Sequence, residues 1–173
     1  TSIALRHEGL ANTIDLIIDD GRIYVIQEFV YGFSLKELIA KREYFDYRFN
    51  YFFYRIISKV LDTLAYIHTQ QLCHCDIKPS NIMVCGSDEF GINMENPEIK
   101  IIDTGLLKPC FQPAIPDTGG KSFSIMYASP EQVLGFSELV GEHSDIFSTG
   151  LILYEAIAKE PALNTTNPMF IKK

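Results

Sequence analysis

Apolar positions recur along this chain with two different periods. Ile14 to Ile18 is a largely apolar run, Asp19-Asp20-Gly21 is a turn signal, and Ile23 to Val30 is a second extended run rich in β-branched and aromatic residues. That order predicts a β-hairpin. Tyr31-Gly32-Phe33 breaks the pattern, and Ser34 is placed to cap a short helix over Leu35 to Lys41. The period then changes. Phe53, Ile56, Ile57, Val60, Leu64 and Ile67 follow helical spacing, which predicts a helix over residues 46–70. The neighbouring aromatics Phe52, Phe53 and Tyr54 are read as core. Ile82 to Val84 and Ile99 to Ile102 predict two short strands, and Cys85 to Glu98 between them a polar surface loop. Residues 108–123 hold three prolines and a Gly-Gly pair and predict a long irregular segment. Ser144 is expected to cap an apolar helix from Asp145 to about Lys159.

Composition narrows the class. The 173 residues are 47% hydrophobic, enough for one domain with a sizeable core. The net charge is −7 and the 15 Lys and Arg residues form no long run, so neither nucleic acid nor an anionic membrane is an expected partner. No apolar stretch is long enough to span a bilayer. The chain opens on Thr1 with no initiating Met or signal-peptide pattern, as expected of a segment of a longer protein. Of the four cysteines, Cys73 and Cys75 flank His74. Alternate residues of an extended segment face opposite ways, and no second pair accompanies them, so reduced structural thiols of a cytoplasmic protein are expected rather than a zinc site.

The chemistry concentrates in two stretches. Residues 74–81 read His-Cys-Asp-Ile-Lys-Pro-Ser-Asn, and Asp103-Thr104-Gly105 follows downstream. Phosphoryl transfer needs a carboxylate to accept a proton, a cation near the moving phosphate, and an amide plus a carboxylate for magnesium. Asp76, Lys78, Asn81 and Asp103 are those groups in that order.

With these motifs the chain resembles eukaryotic-type serine/threonine protein kinases. The resemblance implies an α+β fold with two unequal parts: residues 1–31 as the last two strands and hinge of an N-lobe, and 32–173 as a mostly helical partial C-lobe. It implies ATP and Mg2+ as cofactors and a protein Ser or Thr hydroxyl as acceptor. Asp76 would orient and deprotonate that hydroxyl, Lys78 would touch the γ-phosphate, and Asn81 and Asp103 would hold magnesium. Gln27 would be a polar gatekeeper, Glu28 and Val30 would meet the adenine edge through their backbones, and Met83 would floor its pocket. His74 would pack and bond backbone carbonyls, and Asp145 would accept loop N–H groups. Ser129-Pro130-Glu131-Gln132 resembles the motif that ends the activation segment. Ser124 stands where a Thr bonds the catalytic Asp and Lys, and Tyr127 also fits the pattern. The Ser-Pro-Glu-Gln form looks most like bacterial members. Lys78, two positions after Asp76, resembles the serine/threonine subclass.

Four departures carry expectations of their own. No Gly-x-Gly-x-x-Gly or Val-Ala-x-Lys pattern is present, so the segment alone is expected to be weak or inactive. Glu131 is expected to lack the late-helix Arg that pairs with it in the family. Thr104 stands in place of a Phe whose loss costs about 3–5 kcal/mol unless a neighbour repacks. Cys75 stands in place of the Arg that clamps an activation-loop phosphate. Activity is therefore expected to be independent of that phosphorylation. Thr118→Ala and Ser122→Ala in the full-length protein should leave the rate near its starting value, and a large loss would refute this.

Two other functions share some of these residues. Small-molecule phosphotransferases of the aminoglycoside or choline kinase type also use a His-x-Asp loop with an Asn five residues after the Asp. Lys78-Pro79, Ser129-Pro130-Glu131 and Asp145 argue against that type. A pseudokinase binding module would explain Thr104, but it has no chemical need for all of Asp76, Lys78, Asn81 and Asp103. His68, at a helix end, is read as favourable to the dipole.

Overall fold

The Asp20-Gly21 turn has positive φ at both residues, 45° and 71°, which matches the right-handed twist of the strands it joins. It connects β1 (Thr13–Asp19) to β2 (Arg22–Gln27), paired antiparallel from Asp19 opposite Arg22 to Thr13 opposite Gln27. A computed structural model provides this structure and describes residues 5–41, 48–86, 91–104, 107–111 and 125–163. β2 stops three residues short of the expected Val30. The Glu28 N–H still donates across to the Asn12 carbonyl at 2.9 Å, its carboxylate meets Lys100 at 2.7 Å, and the ladder ends there. Every residue of β1 is exposed, including Ile14 and Ile18.

Gly32 to Ser34, expected only as a break, forms β3 (Gly32–Ser34) and pairs antiparallel with β5 (Ile82–Cys85). The break signal and the strand have one cause. A Cβ on Gly32 would lie 2.2 Å from the Val84 carbonyl oxygen, so only glycine permits this approach. β5 pairs in turn with β6 (Ile99–Ile101), and residues 9–11 run beside β6 through Ala11 N–H to the Ile101 carbonyl, 2.9 Å. Ser34 caps α1 (Leu35–Ala40) in a reciprocal box with Glu37.

The core lies on α2 (Arg48–Thr69), within the range the periodicity predicted. Its apolar stripe, Phe52, Phe53, Ile56, Val60, Leu64 and Ile67, is buried against β5, β6 and α4 (Glu142–Ala158). Phe52 and Phe53 are each 1% exposed while Tyr54 is exposed, so the first two are core and the third is not. Burying one such side chain contributes roughly 1.5–3 kcal/mol.

The predicted irregular segment begins with a short strand. β4 (Leu72–Cys73) pairs antiparallel with β7 (Lys108–Pro109), and Cys110 N–H continues the contact to the Gln71 carbonyl at 3.0 Å. Residues 112–124 lie outside the described residues. Beyond them come α3 (Pro130–Leu134) and α4. Ser144 does not cap α4 as expected. The helix begins three residues earlier, with Gly141 as its cap, and the Ser144 hydroxyl reaches back to accept the Gly141 N–H at 3.1 Å. Helices and small antiparallel sheets thus form a mixed α+β arrangement. Among the described residues, no helix is long and apolar enough to cross a membrane.

Candidate active site

The loop between β4 and β5 is held from below by one carboxylate. Asp145, 1% exposed in the first turn of α4, accepts the His74 N–H at 2.8 Å on Oδ2 and the Cys75 N–H at 2.8 Å on Oδ1. His68 Nε2 is 2.9 Å from the same Oδ2. His68 thus makes a specific side-chain contact, where the sequence suggested only a favourable helix end. Cys75 has φ 66°, a left-handed turn uncommon for a residue with a side chain. The turn carries the chain from the buried His74 to Asp76. It also overturns one expectation: the Cys75 thiol folds back to 3.3 Å from Cys73 Sγ, where an extended segment would have separated them. All four cysteines are free. Contact with Cys75 and burial push the Cys73 thiol up, and burial does the same at Cys85 and Cys110.

His74 is fully buried, with Nδ1 3.4 Å from the Asp76 N–H. Among the described residues its Nε2 has no partner at full hydrogen-bonding geometry, although the Ile102 carbonyl acts on the ring as the expected carbonyl contact would. Burial holds the ring below its ordinary pKa and therefore neutral, against the pull of Asp145, Asp76, the Ile102 carbonyl and Asp103.

Asp76 is 7% exposed. Lys78 Nζ donates to its Oδ2 at 2.6 Å, and Asn81 Nδ2 donates to its carbonyl at 2.9 Å and to Oδ2 at 3.2 Å. The Pro79–Asn81 single turn of 3-10 helix brings Asn81 back over Asp76, and β5 starts at the next residue. The Ile102 N–H donates to the Asn81 carbonyl at 2.9 Å, which sets exposed Asp103 directly beyond Asn81. Asp103 has φ 62°. Asp76, Lys78, Asn81 and Asp103 therefore gather at one end of the β5–β6 hairpin.

A cleft of about 750 Å3 is lined in part by Gln27, Glu28, Val30, Phe33, Met83 and Ile102; none of the four gathered groups lines it, and Ile102, the residue before Asp103, connects the two. The Glu28 N–H is committed to Asn12, so its carbonyl is the backbone group left for a ligand. The Glu28 carboxylate bonds Lys100, then the Asn12 N–H, and these hold it below the usual carboxylate range. The Gln27 side chain donates to Thr104 Oγ1 at 2.8 Å.

The segment after the undescribed stretch docks on the same loop. Gln132 Oε1 accepts from Ser129 N–H at 2.9 Å, while its Nε2 donates to the Cys75 carbonyl at 2.7 Å. The Ser-x-x-Gln spacing signals a helix start, but nothing in it signals the bond to Cys75. Glu131 is not left unpaired as expected. It accepts from the Ser144 hydroxyl and lies 3.3 Å from His143 Nε2. Burial raises its pKa, but the Ser144 and Ser129 bonds, a backbone N–H and His143 outweigh that and hold it low. Tyr127 donates to Glu155 at 2.6 Å, and its carbonyl accepts from Ser148. Ser124, Thr118 and Ser122 lie outside the described residues.

A profile of the protein kinase domain matches residues 2–172, and the chain belongs to that family. It is 30% identical over 154 residues to the serine/threonine-protein kinase PrkC of Bacillus subtilis, covering 89% of this chain and 22% of that protein. It is 29% identical over 172 residues to a probable serine/threonine-protein kinase of Clostridium perfringens, covering 99% of this chain and 23% of the relative. It is 32% identical over 173 residues to the probable serine/threonine-protein kinase nek2 of Dictyostelium discoideum, covering 94% of this chain and 37% of the relative. Bacterial and eukaryotic relatives thus stand at similar identity, and these names do not favour a small-molecule phosphotransferase. The chain spans between 22% and 37% of the length of these relatives.

Proposed function

We propose that the protein transfers the terminal phosphoryl group of ATP to Ser and Thr hydroxyls of a protein substrate. The observation that carries this reading is the gathering of Asp76, Lys78, Asn81 and Asp103 at one end of the β5–β6 hairpin, whose residues Met83 and Ile102 line the cleft. Residues 1–31 act as the end of an N-lobe with its hinge, and residues 32–173 as C-lobe.

The donor set fits magnesium-ATP. Mg2+ takes hard oxygen ligands and is commonly held by one or two protein groups together with phosphates. Asp103 offers an exposed carboxylate, and Asn81, whose Nδ2 is spent on Asp76, retains its carbonyl oxygen. Bound magnesium-ATP supplies the phosphoryl group and the charge that offsets its oxygens. Glu28 and Val30 would hold the adenine edge through backbone groups, and Met83 would floor its pocket. Asp76 accepts the proton of the substrate hydroxyl. Lys78, which rests on Asp76 at 2.6 Å, would supply the cation for the γ-phosphate. His74, Asp145 and Glu131 support the loop and make no contact with reacting atoms, and Ser124 stands where the family places a Thr that bonds the catalytic Asp and Lys. A cytoplasmic location suits both ATP use and the free thiols.

The test is phosphate transfer by the full-length protein from γ-labelled ATP with Mg2+, offered a casein-like protein and, separately, an aminoglycoside or choline. Label on protein Ser and Thr alone is expected. Label on the small alcohols, or nucleotide binding without transfer to any acceptor, overturns the reading.

A further inference from the structure

The polar residue at the end of β2 is bonded to the Thr that stands in place of the family's Phe. Gln27 ends β2 and lines the cleft, and Thr104 directly follows Asp103. Gln27 Nε2 donates to Thr104 Oγ1 at 2.8 Å in a partly buried setting. A half-buried amide or hydroxyl is costly without a partner. Each of these polar side chains is therefore explained by the other, and neither is explained alone.

Asp103 sits between two restraints. Its φ of 62° is disfavoured for a residue with a Cβ, so the backbone needs holding on both flanks. On one side the Ile102 N–H is fixed to the Asn81 carbonyl, and Asn81 is itself bonded to Asp76. On the other side stands the Thr104–Gln27 bond. Gln27 is in turn anchored through its neighbour, because the Glu28 carboxylate meets Lys100 of β6 at 2.7 Å. The end of β2 is thus joined twice to β6 and the residues that follow it, through Glu28 to Lys100 and through Gln27 to Thr104.

The geometry points to Gln27 and Thr104 as a polar clasp that positions the Asp103 carboxylate for its cation, where the family pattern uses an apolar contact. Both are positioning residues. The inference deepens the proposed kinase function and rests on Asp103 as a magnesium ligand.

A double-mutant cycle in the full-length protein tests it, with Thr104→Val, Gln27→Leu and the pair together. Thr104→Val keeps the shape and removes the hydroxyl. Two quantities are read: amide hydrogen exchange of residues 102–104 without nucleotide, and the Mg2+ concentration for half-maximal phosphate transfer. Either single change should raise both by roughly 2- to 10-fold, one hydrogen bond's worth. The double change should be no worse than the worse single. Thr104→Ser, which keeps the acceptor, should return both readouts close to their starting values. The clasp is overturned if Thr104→Val moves neither readout, or if the two single effects multiply in the double variant. Should the protein transfer no phosphate at all, the kinase reading fails while the exchange cycle still decides the clasp.

Discussion

Asp76→Asn will lower the rate of phosphate transfer by about 10²–10⁴-fold while leaving the loop folded. The structure makes this a clean substitution. Among the described residues the two side-chain donors that reach the Asp76 carboxylate, Lys78 Nζ at 2.6 Å and Asn81 Nδ2 at 3.2 Å, converge on the single atom Oδ2. An Asn at this position can present its one carbonyl oxygen to both and turn its amide toward the cleft. The packing survives, but the group can no longer accept a proton. Phosphate transfer to a Ser- or Thr-containing protein measures the loss. A nucleotide titration of the same variant should give an affinity close to the starting one, since Asp76 is not among the cleft-lining residues. An undiminished rate would remove Asp76 from the chemistry.

Asp145→Asn should be the most damaging change to the fold. The carboxylate uses both oxygens: Oδ2 for the His74 N–H and His68 Nε2, and Oδ1 for the Cys75 N–H. An amide has one acceptor oxygen, so at least one backbone N–H would face an NH2 group in a position that is 1% exposed. Losing charge-assisted bonds and leaving a buried donor unsatisfied costs on the order of 3–5 kcal/mol. For a chain of this size that lowers the melting temperature by roughly 6–20 °C. Thermal unfolding followed by circular dichroism measures it. Activity should fall as well, because the left-handed turn at Cys75 loses the bond that holds it. A shift of only a degree or two would mean that the loop is held mainly by Gln132 and the β4–β7 pair.

These two residues were readable before any coordinates, for different reasons. Asp76 belongs to a run in which several chemically distinct groups stand within eight positions, so the chemistry is visible as a local word. Asp145 came through resemblance alone, since an Asp in a helical first turn has no unusual pattern. The long elements were readable because periodicity is itself local: α2 and the β1–β2 hairpin announce themselves by spacing and by a Gly turn. β4 and β7 have two residues each, too few to carry any period.

The misreadings share a cause. Ser144 forms the type of bond expected of a helix start, but a hydroxyl three residues inside a helix gives the same local signal as one at the cap. Cys73 and Cys75 were expected to face apart because an extended backbone was assumed, and one positive φ reversed the second thiol. Glu131 was expected to lack a partner because the family's Arg was sought, while Ser144 and His143, in the first turn of α4, supply the contacts instead.

Side-chain chemistry and periodic elements are written along the chain, because they depend on neighbours a few positions apart, and so the kinds of group available for phosphoryl transfer could be named from the residues. Which of those groups meet is a matter of how distant segments cross. The bonds from Gln132 to Cys75, His68 to Asp145 and Gln27 to Thr104 join residues more than fifty positions apart, and no spacing rule relates them. They exist because α2, α4 and the β5–β6 hairpin pack around one core and bring their polar ends to the same edge.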